Sequence, residues 1–195
     1  MNQSALRTRP MSSQSDAHKP VRIVELKQTD TDAAAHIHLV ATRMRQTLIE
    51  VLGQERGPTM YSLPWLVDRV EFHLDPARST GAVLLALDGR NAAVIGHTIV
   101  RVEAQADCPR LGLFSTIYVV PEKRRAGVAR ALVAAGETWL LAHDVHALAT
   151  NTGKDNVKLI RLFEGHGYQI AVRTEEMVQL RRDVEPAFAA DAMET

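Results

Sequence analysis

The sequence predicts a mixed α/β fold, on two observations. Strand-like runs cluster in the middle of the chain as a meander, with helix-period runs before and after them. The resulting order, β-α-α-β-β-β-α-β-α-β-β, does not alternate strictly, which argues against a doubly wound parallel sheet. The chain has 195 residues and is 46% hydrophobic, which suits one domain with a sizeable core.

Val21 to Lys27 carries alternating Val, Ile and Leu positions and reads as the first strand. Thr29 or Asp30 then caps a helix, with Asp32 in its first turn. Its apolar positions Ile37, Val40, Ala41, Met44, Leu48 and Val51 recur at intervals of three and four. Gly53 is its expected stop, and Gly57-Pro58 an expected loop. Ser62 and Pro64 mark the start of a second helix, which ends before Pro76.

Val83–Leu87 and Ala93–Glu103 are strands joined by Asp88-Gly89-Arg90-Asn91, a turn with hairpin chemistry. A polar loop, residues 104–110, leads to a strand over Leu113–Val120. After Pro121-Glu122-Lys123 a helix is predicted from Gly127 to His143. A short strand follows at Ala147–Thr150, then a helix capped by Asp155 and ended by Gly165 and Gly167. Tyr168–Val172 and Glu176–Leu180 close the pattern as a strand pair. The domain is expected over residues 20–183, with flexible tails at 1–19 and 184–195, whose composition is too polar to offset ordering.

Composition excludes several function classes. The formal net charge is zero, so no global basic field argues for nucleic acid. The single cysteine, Cys108, rules out an internal disulfide and reads as a loop thiol. No apolar run approaches the ~20 residues of a membrane span, and no apolar core follows Arg7 and Arg9 as in a signal peptide. A soluble cytoplasmic protein is expected, with no nucleic-acid or membrane partner.

The chemistry concentrates at Arg124-Arg125-Ala126-Gly127-Val128-Ala129. This stretch joins the strand ending Ile117-Tyr118-Val119-Val120 to the long apolar helix. Lys123, Arg124, Arg125 and Arg130 face one carboxylate, Glu122, for a local net charge of +3. Unpaired N–H groups at a helix N-terminus, with the helix dipole behind them, hold phosphate. A strand, a basic glycine turn and a helix start therefore read as a pyrophosphate-binding turn.

Residues Ile117 to Tyr168 resemble the core of the GNAT superfamily of N-acetyltransferases. The family pattern Gln/Arg-x-x-Gly-x-Gly/Ala is met by Arg124, Gly127 and Ala129, preceded by the Pro121-Glu122 turn. The second motif, Asn, an aromatic seven residues on, then Gly-aromatic, is met by Asn156, Phe163 and Gly167-Tyr168. The resemblance implies the GNAT acyl-CoA N-acyltransferase fold, a central, mostly antiparallel sheet flanked by helices. It implies acetyl-CoA as co-substrate, no metal, and an amine of a small molecule or protein as acceptor; a homodimer is compatible with it.

Residue by residue, the resemblance places the pyrophosphate on the backbone of Arg125, Ala126, Gly127, Val128, Ala129 and Arg130. Arg124, Arg125 and Arg130 add charge. The backbone of Ile117, Tyr118 and Val119 pairs with the pantetheine arm. Val119 N–H is the candidate oxyanion donor, and Asn156 holds the pantetheine chain or caps its helix. Phe163 stands where the family usually has its general acid tyrosine and is expected among the cofactor-binding residues. Leu113 and Asn151 stand at common positions of a general-base glutamate. None of the three can do that work, so the base is expected among Ser115, Thr116, Tyr118, Glu71 and His73, with water able to protonate the leaving thiolate. The alternative is a catalytically weak or inactive acyl-CoA-binding sensor or scaffold.

Other motifs carry less. His36 and His38 are two apart on a helix and point about 200° apart, so they do not share an ion. Trp139 falls on the stripe of Val128, Leu132 and Ala135 and is expected in the core. Trp65 is expected in the core or in the wall of the acceptor pocket.

Overall fold

The computed structural model describes residues 20–104 and 108–184. The expected tails therefore lie outside the described residues, Val184 excepted, as does the centre of the polar loop. Seven strands form one sheet in the order β1-β2-β3-β4-β5-β7-β6. They are β1 Arg22–Glu25, β2 Gly81–Leu87, β3 Val94–Glu103, β4 Leu111–Val119, β5 Ala147–Gly153, β6 Gln169–Arg173 and β7 Met177–Asp183. Every neighbouring pair is antiparallel except β4–β5. The four helices are α1 Ala33–Met60, α2 Leu63–Leu74, α3 Val128–Leu141 and α4 Val157–Glu164. The element order is the one the periodicity predicts.

The sheet separates two cores. On one face α1 and α2 set Ile37, Val40, Ala41, Leu66 and Val70 against Val83, Leu85 and Ile99. On the other, α3 and α4 set Val128, Leu132, Leu140 and Phe163 against Phe114, Val119, Leu148 and Leu180. The strands alternate apolar residues to both faces, which is why β2 is buried over Ala82–Leu87. Trp139 is half-buried against the second core and stacks on His143 at 3.8 Å.

Local chemistry differs from expectation at three places. First, α1 does not stop at Gly53. That residue takes φ 83°, ψ 171°, a conformation open to glycine, and the chain then resumes helix to Met60. Gly57-Pro58 is thus helical, and Gly57 lies so close to the α1 backbone that a Cβ there would sit 2.6 Å from Ile49 Cα.

Second, the N-cap of α1 is Asp32, not Thr29 or Asp30. The Asp30 carboxylate is engaged upstream, accepting from Lys27 N–H at 2.9 Å. Third, α4 is capped by Asn156 rather than Asp155: Asn156 Oδ1 accepts from Leu159 N–H at 3.3 Å. The expected Ser62 cap is present on α2, accepting from Trp65 N–H at 3.3 Å.

Candidate active site

The site begins where β4 and β5 part. Their parallel pairing covers only Leu111–Phe114 against Ala147–Thr150. Beyond it β4 follows β3 to Val119, and β5 follows β7 to Gly153. Opposite β3, Thr116 pairs with Ile99 and Phe114 with Val100, so Ser115 is the extra residue of a bulge. A bulge bends and twists its strand, and this one lies at the parting point. Residues 115–119 are left with one edge unpaired by any strand.

That edge presents donors. Val120 N–H donates to Ile95 O at 3.0 Å, toward β3. Strand N–H groups alternate in direction, so Ile117 and Val119 N–H face away from β3, into the gap. Of the two, Ile117 stands nearer the cleft that Ser115 and Thr116 line. It is a second candidate donor that the motif alone did not single out.

The turn after β4 coils tightly. A 3₁₀ turn over Pro121–Lys123 ends at Arg124, and positive φ then falls at Arg125 (66°) and Gly127 (80°) with Ala126 between them. Alternating hand turns successive N–H groups toward one side, the geometry of a backbone anion cradle. Gly127 is the N-cap of α3, whose first-turn N–H groups have no intrahelical acceptor. A Cβ built on Gly127 meets nothing within 4 Å, so the space before the helix is open.

The basic side chains are not equivalent. Arg124 is occupied: Nε donates to Val119 O at 2.9 Å and its guanidinium bonds Glu50 of α1 at 3.2 Å. Lys123 pairs with Asp88 at 2.6 Å. Arg125 and Arg130 are exposed and make no ion pair among the described residues. The Val128 side chain is buried, so only its N–H counts toward the cradle. Ala126 is exposed and Ala129 half-buried.

The second motif corrects one expectation. Phe163 is fully buried, edge-on to Phe114 at 5.2 Å and Tyr168 at 5.0 Å. It is a core residue, not a cofactor contact, because α4 turns its apolar stripe onto the sheet. Tyr168 does not replace it as an acid. That residue is buried too, and burial followed by the charge of Glu137 pushes its phenol above its ordinary range. Asn156 is occupied at both ends, since its Nδ2 donates to Thr152 Oγ1 at 3.0 Å.

Between the sheet and the first two helices lies a cleft of ≈ 380 Å³. Leu113, Ser115, Thr116 and Asn151 form its sheet side; Trp65, Arg69 and His73 come from α2, and Arg101 from β3. Leu113 and Asn151 thus reach the cleft, as their motif positions suggest, but Asn151 only accepts from Gln179 at 3.2 Å. Glu71 is not brought in. It is exposed, two residues from both Arg69 and His73 and so on another face of α2. Tyr118 is buried beside α1, with its hydroxyl donating to Gln46 Oε1 at 3.3 Å and its ring stacked on His97. Trp65 is an exposed wall rather than core, stacked on Tyr61 at 4.3 Å.

No carboxylate lines the cleft among the described residues. His73 is the remaining imidazole there, with Nδ1 3.4 Å from Ser79 Oγ. Burial, then the charges of Arg69 and Arg101, push it down to about 4, so it is neutral at pH 7. The sequence reading missed Arg69 and Arg101. The signal for Arg69 was available: Trp65, Arg69 and His73 are spaced by four and share one helix face.

The acetyltransferase (GNAT) family matches residues 40–168. Solved structures agree in fold. A putative acetyltransferase from Salmonella typhimurium, solved with acetyl-CoA, superposes with TM-score 0.65 at 14% identity, covering 88% of this chain and 98% of that one. An N-acetyltransferase from Thermoplasma acidophilum in complex with coenzyme A gives 0.62 at 13%, covering 85% and 99%. A GNAT-family acetyltransferase from Streptococcus pneumoniae gives 0.61 at 17%, covering 85% and 100%. No curated protein matches this sequence.

Proposed function

Because the chain belongs to the acetyltransferase (GNAT) family, we propose that it transfers an acetyl group from acetyl-CoA to an amine. One observation carries the reading: the unpaired edge of β4 runs directly into an alternating-hand turn at a helix N-terminus. An extended chain with a pyrophosphate at one end fits those two features in that order. The cradle of residues 125–130 would hold the pyrophosphate, with Arg125 and Arg130 as its cations. The backbone of Ile117–Val119 would hold the pantetheine arm, and Asn156 would contact it after yielding its bond to Thr152. Acetyl-CoA would supply the acetyl group as an activated thioester.

The chain's own residues would do the rest. A carbonyl oxygen at the β4 edge would be stabilised, as charge builds on it, by Val119 N–H or the deeper Ile117 N–H. The acceptor would enter through the α1–α2 cleft. Ser115 and Thr116 would orient it, and the neutral His73 imidazole would take the amine proton directly or through water. With a pKa of about 4 it is a weak base, so positioning supplies most of the acceleration here. The leaving thiolate would be protonated by water.

Free-thiol release from acetyl-CoA, followed over a panel of amines, tests this. Acceptor-dependent release well above the buffer rate is expected. A second reading, a non-catalytic acyl-CoA-binding module, draws on the buried Phe163 and the cleft without a carboxylate. Tight acetyl-CoA binding without thiol release for any amine would replace the first reading with the second.

A further inference from the structure

The cleft has a charge that neither the fold nor the cofactor requires. Its only charged lining groups among the described residues are two guanidinium groups, Arg69 and Arg101. Arg101 is partly answered: it pairs with Glu103, and its Nε donates to Ser115 Oγ at 3.0 Å. Arg69 has no carboxylate within 4 Å among the described residues; its guanidinium lies over the Phe72 ring at 4.7 Å. One positive charge is left over in a half-enclosed space.

That charge is costly where it stands. Burial, then the nearby Arg101, lower the Arg69 pKa; Asp68 and Glu103 oppose them from a distance without reversing the direction, and the two arginines help to depress His73. Two like charges held beside a buried imidazole make an electrostatic arrangement completed by an anion. The fork of a guanidinium matches a carboxylate in particular. Around this point the cleft is apolar and aromatic: Met44, Leu48 and Leu66 line it with the stacked Tyr61–Trp65 pair, both partly exposed.

We propose that the acceptor is a small amine that also bears a carboxylate and an apolar body, with the carboxylate held by Arg69 and Arg101. This rests on the acetyltransferase reading above. The spacing is consistent with it. Arg101 meets the sheet at Ser115, and the first open donor, Ile117 N–H, lies two residues on, about 7 Å along a strand. That is more than the amine-to-carboxylate distance of an α-amino acid, so the long Arg69 and Arg101 side chains supply the remaining reach. A peptide acceptor would need no such fixed anion beside the reacting end.

Matched pairs test the proposal: phenylalanine against phenylalaninamide, and glutamate against its α,γ-diamide, each with acetyl-CoA. The wild-type protein is expected to favour the acid over the amide in kcat/KM by roughly 10- to 100-fold, the range of a charge-assisted bond. Arg69→Met should erase most of that acid-over-amide preference, through KM, while leaving acetyl-CoA affinity unchanged; because loss of the Arg69 charge also raises His73, acid and amide are compared within each protein. Equal turnover of acid and amide by the wild-type protein overturns the anionic-acceptor proposal and leaves the acetyltransferase reading intact. If no amine is turned over, calorimetry with protein saturated in coenzyme A decides. Acid-selective binding lost in Arg69→Met upholds the anion site without the enzyme, and absence of acid-selective binding overturns it as well.

Discussion

Lowering the pH from 7 to 5 should weaken this fold by about 4 kcal/mol through two histidines. His97 has no exposed surface and, among the described residues, neither ring nitrogen has a hydrogen-bond partner; burial, then the charge of Arg43, push it down to about 3. His73 is pushed down to about 4. An unfolded histidine takes its proton near pH 6.5. Both groups therefore favour folding above pH 6.5, and that contribution is lost as the pH falls toward their folded values. At pH 5 the unfolded chain binds both protons and the folded chain neither, at about 2 kcal/mol each. Urea melts at the two pH values measure it. With m of about 2 kcal/mol/M, the midpoint should fall by about 2 M. His73→Gln and His97→Leu should each halve the drop, and His97→Leu should be no less stable at pH 7, because it removes two unpartnered nitrogens. An unchanged midpoint between pH 7 and 5, or the full drop persisting in the double variant, would refute the reasoning. Asp88, whose carboxyl its hydrogen bond with Lys123 holds below the usual range, acts below this window.

Three further outcomes are expected. Gly127→Glu should abolish acetyl-CoA binding in calorimetry, since it sets a negative charge in the open space before α3; strain at φ 80° should add about 1 kcal/mol of destabilisation. Phe163→Tyr, which restores the family's usual residue, should lower stability by about 1–3 kcal/mol in urea melts without raising thiol release, because the new hydroxyl enters a fully buried aromatic cluster. Asn156→Ala should cost about 1 kcal/mol of stability from the lost α4 cap, whereas Asn156→Asp, which keeps the acceptor, should restore most of it.

Much of the fold was legible because its signals are local. Period-three-and-four spacing set the helices, and Ser62 with Pro64 opened α2 where the structure has it. Helix ends were harder, since several nearby side chains compete for one cap. Asp30 looks as good as Asp32, and Asp155 as good as Asn156, until their other partners are known. Gly53 failed as a stop for a related reason: one residue changes direction, and the seven after it are free to resume helix.

The candidate site divides in the same way. The turn from Arg124 to Ala129 is a contiguous backbone device, so its residue types alone reveal it. Its side chains are another matter. Arg124 is spent on Glu50, 74 positions away, and no spacing rule reaches that far. Phe163 sits in a motif position whose meaning comes from the family, while its burial comes from Phe114 and Tyr168.

By itself the sequence determined the order of elements, the glycine turn that opens α3 and the family, because each is written in short-range pattern. Only the tertiary structure decided that β4 and β5 separate at Ser115, which basic groups stay available, and that Arg69 and Arg101 share a cleft with His73. Those facts depend on pairing register and on neighbours distant in the chain, where charge and burial act through space.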